Sequence, residues 1–151
     1  MLFRSHAGLR EDQLHNRPMI IVVTKWDSWK SLLPEISNEA PFVSAPNSPL
    51  KLLDGPRIES VSNQVGEMLR KYTPDIVAAA EGFASHVSFL PVSATGHSPE
   101  IDPATGSFGI RPRDIAPYWV DVPMLYALSR WGSGLIGTLE NTANKSSVKR
   151  W

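Results

Sequence analysis

Met19-Ile20-Ile21-Val22-Val23-Thr24 is a short continuous run rich in β-branched side chains, with polar Asn16-Arg17-Pro18 before it and Lys25 after it. A short run without alternation reads as a strand buried on both faces, the habit of parallel sheets. Further along, Val87-Ser88-Phe89-Leu90-Pro91-Val92-Ser93 has the same character, with Pro91 placing it near an edge or a strand end. Between them Ile58, Val61, Val65, Leu69 and Tyr72 recur at three- and four-residue steps, the apolar stripe of a helix. Thr73-Pro74 reads as an N-cap followed by proline at the first helical position, opening a shorter helix through Ala78, Ala79 and Ala80 to Gly82. Strand, helix, strand is a βαβ unit with a right-handed crossover. The expected fold class is therefore α/β: a small parallel or mixed sheet with helices packed on it, in a partial Rossmann-like topology.

Outside this unit the pattern is looser. A third helix is expected from Pro123, with Leu125, Leu128, Leu135, Ile136 and Leu139 on one side and Trp131 nearby. Gly132 and Gly134 weaken its middle by roughly 1 kcal/mol each. Residues 5 to 15 fit the end of an amphipathic helix. The chain has 13 prolines, and most fall between residues 33 and 56 or between 97 and 122, which reads as two long loops inserted into the domain. Two strands do not make a stable sheet alone. Ile115 to Val122 is the best candidate for a further strand; otherwise the exposed edge pairs with a second copy or another subunit. Residues 1–140 form one expected domain, and 141–151 a flexible polar tail.

Composition removes several classes of function. With 151 residues, 15 basic and 15 acidic, the chain has zero net charge and lacks the basic footprint that nucleic acid or an anionic membrane surface calls for. At 42% hydrophobic it has the composition of a globular chain rather than a disordered one. The absence of cysteine excludes disulfides, thiolate nucleophiles and iron–sulfur clusters. The longest apolar run, Met19 to Val23, is too short to span a bilayer. The opening Met-Leu-Phe-Arg-Ser-His has no apolar signal stretch, so the expected address is cytoplasmic.

In a parallel α/β sheet, ligands bind beyond the carboxyl ends of the strands. There the sequence places Thr24-Lys25-Trp26-Asp27 and Ser93-Ala94-Thr95-Gly96. An apolar strand, Thr/Asn-Lys-x-Asp, a helix, a second apolar strand and Ser-Ala, in that order, resembles the base-recognition half of P-loop GTPases. The resemblance covers roughly residues 16 to 139, with the proline-rich loops as insertions. It is similar to the large, divergent GTPase-like proteins of bacteria, in which an Arg-Pro precedes the strand as Arg17-Pro18 does here.

The resemblance implies a guanine nucleotide as ligand. Asp27 would accept from the guanine N1–H and exocyclic amine, a pairing that adenine does not offer. The stem of Lys25 would cover one purine face, and the N–H of Ala94 would point at the guanine O6. Ser93 would fix the turn, with Thr95 and Gly96 following it. Trp26 would shield the base or simply pack. Thr24 stands where many of the family have asparagine, a minor departure. The departure that matters is the absence of any Gly-x-x-x-x-Gly-Lys-Ser/Thr or Asp-x-x-Gly. The chain therefore resembles the carboxyl-terminal half of such a domain, from a split gene, a truncated reading frame or a repurposed remnant. Its expected partner is a protein carrying the missing phosphate-loop half, and GTP hydrolysis by this chain alone is not expected.

Other constellations compete with that reading. A base-and-ribose pocket at strand ends would also hold a nucleoside cofactor such as S-adenosylmethionine, in a methyltransferase-like role, although adenine conflicts with a guanine-reading Asp27. Gly132-Ser133-Gly134-Leu135-Ile136-Gly137 matches a dinucleotide fingerprint, yet it follows a helix rather than a strand. His97, Glu100 and Asp102 are close enough in sequence to hold a metal, but their loose spacing reads as a solvated loop. His86 reads as a surface or capping residue. Trp119, Trp131 and Tyr126 read as core, since no basic neighbours accompany them.

Overall fold

A computed structural model describes residues 13–45, 49–131 and 136–138. The tail after Asn141, residues 5–12 of the first helical stretch, Leu135, Leu139 and Gly132 to Leu135 of the glycine motif lie outside the described residues.

The two apolar runs form strands β1 (Met19–Val23) and β4 (Val87–Pro91), paired in parallel from Met19↔Val87 to Val23↔Pro91. Between them come a one-turn helix α1 (Trp26–Trp29), a hairpin of β2 (Phe42–Ser44) and β3 (Lys51–Leu53), and helices α2 (Gly55–Tyr72) and α3 (Pro74–Phe83). After β4 the chain makes a two-residue hairpin, β5 (Glu100–Ile101) with β6 (Phe108–Gly109), a 3₁₀ turn at Pro112–Asp114 and helix α4 (Val122–Trp131). The fold class is α/β, with one parallel pair and two antiparallel pairs among the described residues. No helix among them is long and apolar enough to cross a membrane.

Helix α2 begins at Asp54, whose carboxylate accepts from the Arg57 N–H at 3.1 Å, and Pro56 suits the first turn because it lacks a donor there. Ile58, Val61, Val65, Met68 and Leu69 are buried and pack with Phe89 and Leu90 of β4 in one core. Tyr72, expected on this stripe, is 49% exposed because Met68 and Leu69 already complete the buried face. Gly66 admits the Phe89 ring: a Cβ at that position would stand 3.0 Å from it.

Thr73 is the N-cap residue of α3 with Pro74 at its first position, as expected, but its side chain does not cap that helix. Its hydroxyl donates back to the Leu69 carbonyl at 3.2 Å, closing α2, and makes no side-chain bond to the start of α3. The expected strand over Ile115 to Val122 is also absent. Tyr118 makes a single antiparallel bridge to Ser93, Trp119 then turns the chain with φ 49°, and α4 has already begun at Val122. Other parts of the proline-rich stretches form two short antiparallel pairs that do not join β1 and β4, so these stretches are not wholly loop. Ile136 is not on a helix; the adjoining Gly137 carbonyl accepts from the Leu53 N–H at 3.1 Å, and Thr138 bridges to Leu53.

Among the described residues β1 and β4 pair only with each other, so both keep an open edge. Nor is β1 buried on both faces: its side chains are half-buried and Val22 is 43% exposed. On β4 the outward-facing Phe89 N–H is satisfied by the buried Ser62 hydroxyl of α2 at 2.9 Å. Ser62→Ala leaves that strand donor buried without an acceptor. We expect a loss of about 1–3 kcal/mol, read as a lower urea midpoint; an unchanged midpoint would show that the bond carries nothing.

Candidate functional site

The parallel register brings the carboxyl ends of β1 and β4 out at the same edge, and the pairing continues past the strands. Val92 N–H donates to the Val23 carbonyl at 2.9 Å, and Trp26 N–H to the Val92 carbonyl at 3.1 Å. Between these bonds the chain reverses into α1 through one residue, Lys25, in the left-handed region at φ 54°, ψ 43°. A non-glycine residue there costs of order 1–3 kcal/mol, which the bonds on either side offset. The turn drives Trp26 inward, where it is 1% exposed and stacks on Tyr118 at 6.5 Å between centroids. Of the two roles considered for Trp26, the structure assigns packing.

The same turn aims Asp27, the next residue, across to the loop after β4. Its Oδ1 accepts from the Ser93 hydroxyl at 2.5 Å and its Oδ2 from the Ser98 hydroxyl at 3.1 Å. Ser93 Oγ in turn accepts from the Gly96 N–H at 2.9 Å, so one buried hydroxyl ties the loop to the carboxylate. Ser93 is itself held from both sides, its N–H and carbonyl exchanging bonds with Tyr118. The Ser93 bond is the main influence holding the Asp27 carboxyl below its ordinary value. Burial pushes the other way, while Ser98, the residue's own backbone N–H and the Lys25 cation add to the lowering.

The loop from Ser93 to Ser98 lies on the segment before α4. The Ala116 N–H donates to the Thr95 carbonyl at 2.9 Å, and the Thr95 hydroxyl to the His97 carbonyl at 2.9 Å. Gly96 has φ 79°, and a Cβ there would fall 1.9 Å from the Ala116 carbonyl oxygen, so no other residue fits. The His97 ring spans the Ser98 carbonyl at 3.0 Å and the Asp114 carbonyl at 2.9 Å.

Of the residues expected at the site, Asp27 and Ser93 meet directly. Thr24, Lys25 and Ala94 are exposed at the same edge, and Thr95 and Gly96 shape the turn. His97 is turned to the two carbonyls, away from any shared position with Glu100 and Asp102; among the described residues no group of three His, Asp or Glu gathers. His86 is exposed beside Ser85, 3.1 Å from its hydroxyl. Sequence reasoning missed Ser98, whose only signal is a serine before a proline in a polar loop. Two clefts, of about 470 and 670 Å³, lie at the opposite end of the sheet around Ser88 and Met19, remote from Asp27.

The arrangement is an ionised carboxylate fixed by a buried hydroxyl at the mouth of two parallel strands. It offers acceptors to a ligand's N–H groups. Because its folded pKa is depressed, Asp27 contributes stability above the ordinary carboxylate range, and that contribution is lost as pH falls through the folded value. In Ser93→Ala the Asp27 midpoint should rise towards the ordinary value, measured by carbon-detected NMR of the side-chain carboxyl. A midpoint that stays put would remove Ser93 as the cause.

No family model, no curated protein and no solved structure matches this chain.

Proposed function

We propose that the chain is a purine-binding module that reads guanine through Asp27 and performs no phosphoryl transfer of its own. The observation that carries this reading is the Asp27 carboxylate, fixed by Ser93 where the two parallel strands end. Ligands of α/β sheets gather at that edge. A carboxylate offers two acceptors to two parallel donors, and guanine presents such a pair in N1–H and its exocyclic amine. In this reading Lys25, exposed two residues before Asp27, would lay its aliphatic stem on the purine, and the N–H of the exposed Ala94 would reach O6.

The sequence holds no glycine-rich phosphate loop and no Asp-x-x-Gly. Phosphoryl transfer depends on such groups for positioning and charge stabilisation. A protein carrying them is the partner this reading calls for, and the edge of β1 that is open among the described residues supports a partner strand at that side. With magnesium and GTP the purified chain should release phosphate no faster than the buffer. Steady hydrolysis that follows the protein through purification would overturn the reading.

Binding should be weak, with Kd of roughly 10 µM to 1 mM, since only a base and a sugar are held. Asp27→Asn replaces one acceptor with a donor and should cost about 1–3 kcal/mol for a guanine ligand. For an adenine ligand such as S-adenosylmethionine the same change should be neutral or favourable, because an amide donates to adenine N1. Chemical-shift titration with GDP and with S-adenosylmethionine separates the two: weaker GDP binding in Asp27→Asn supports the guanine reading, and an unchanged GDP affinity rejects it.

A further inference from the structure

The two hydroxyls on Asp27 approach from different sides. Ser93 is 2% exposed and reaches the carboxylate from the sheet, whereas Ser98 is exposed and reaches it from the solvent. A ligand has to arrive from the solvent side as well, because the other is closed by protein. Ser98 does not hang there by chance. The Thr95 hydroxyl on the His97 carbonyl, the His97 ring between the Ser98 and Asp114 carbonyls, and the Ala116 N–H on the Thr95 carbonyl hold the segment that presents it.

We propose that Ser98 is an affinity- and specificity-determining residue: its hydroxyl stands in for a ligand donor on Asp27 Oδ2 and must be displaced by a base that brings two donors. The proposal rests on the guanine reading and deepens it. A carboxylate facing water on a loop would otherwise be satisfied by solvent that any ligand displaces; here it is satisfied by its own chain. A base with N1–H and an exocyclic amine engages both oxygens and releases Ser98. A base with N1–H alone, such as hypoxanthine, uses one oxygen and leaves the Ser98 bond in place. Ser98 therefore weakens guanine binding and spares hypoxanthine binding.

The test is a chemical-shift titration of the full chain and of Ser98→Ala with GMP and with IMP, with Asp27→Asn alongside. Circular dichroism checks the fold; Ser98 is exposed, so its truncation should leave it intact. We expect Ser98→Ala to bind GMP roughly three- to tenfold more tightly, the net worth of one ordinary hydrogen bond, because water takes the place of the Ser98 hydroxyl in the free variant. IMP should change less than about twofold, since its pairing never competes with Ser98. Equal or weaker GMP binding in Ser98→Ala, with Asp27→Asn still impairing it, overturns the role of Ser98 and leaves guanine recognition standing. Parallel gains for GMP and IMP overturn the two-donor mechanism. No binding of either nucleotide to either protein overturns both the role of Ser98 and the guanine reading beneath it.

Discussion

Among the described residues the parallel ladder between β1 and β4 has no third strand to brace it, and most of the surrounding structure compensates for that. An isolated pair of strands is marginal in water and needs an apolar face covered by another element. Helix α2 supplies the cover, laying Ile58, Val61, Val65 and Leu69 in one core with Phe89 and Leu90, and Gly66 lets the Phe89 ring come close. The helix also serves the strand's polarity, since the Ser62 hydroxyl takes the Phe89 N–H that a neighbouring strand would otherwise accept. One element thus stands in for both a layer and an edge. At the amino end the ladder is lengthened by His15, which exchanges backbone bonds with Phe83 and Ser85.

At the carboxyl end the brace comes from the proline-rich stretches. The Tyr118 phenol donates to the Ser37 carbonyl at 3.3 Å, and Trp119 Nε1 and the Arg57 guanidinium both donate to the Glu39 carbonyl, at 3.1 and 2.9 Å. Burial pushes the Tyr118 phenol up to about 12, so it remains protonated, and a donor, through the physiological range. Tyr118 and Trp119 stack at 5.4 Å, and Tyr118 also fixes Ser93 by two backbone bonds. A continuous path runs from Ser37 through Tyr118 and Ser93 to Asp27. Long segments that read as insertions are thereby part of what orients the carboxylate.

This division explains what the amino-acid sequence disclosed. Both strands and helix α2 were legible because burial writes itself as apolar periodicity, and the meeting of Asp27 with Ser93 followed from parallel strands ending together. The direction of Trp26 was not legible. It depends on Lys25 adopting a left-handed conformation, and a lysine carries no mark of that as a glycine would. Thr73-Pro74 has the chemistry of an N-cap, but the same hydroxyl serves the preceding carbonyl when two helices abut, and only the geometry chooses. Ile115 to Val122 is apolar enough for a strand, but the left-handed turn at Trp119 breaks the extended backbone, and no residue pattern marks that turn in advance. Ser98 was invisible because its partner lies 71 residues away and a polar loop serine carries no pattern.

The chemistry of Asp27 follows from the same contacts. A general base is most effective when its pKa lies near the working pH, which burial or a neighbouring like charge brings about. Here the influences run the other way: the Ser93 hydroxyl leads in stabilising the charged form and outweighs the cost of burial, with Ser98, the backbone N–H and Lys25 adding to it. A carboxylate so held is a weak proton acceptor and a persistent hydrogen-bond acceptor. It suits the recognition of N–H groups better than the removal of protons. The buried member of its two hydroxyl partners sets its position, and the exposed member is the one that a ligand would replace under the proposed reading. Asp27 is thus held by a buried hydroxyl on the protein side and by an exposed one on the solvent side, an asymmetry consistent with the proposed recognition of a base.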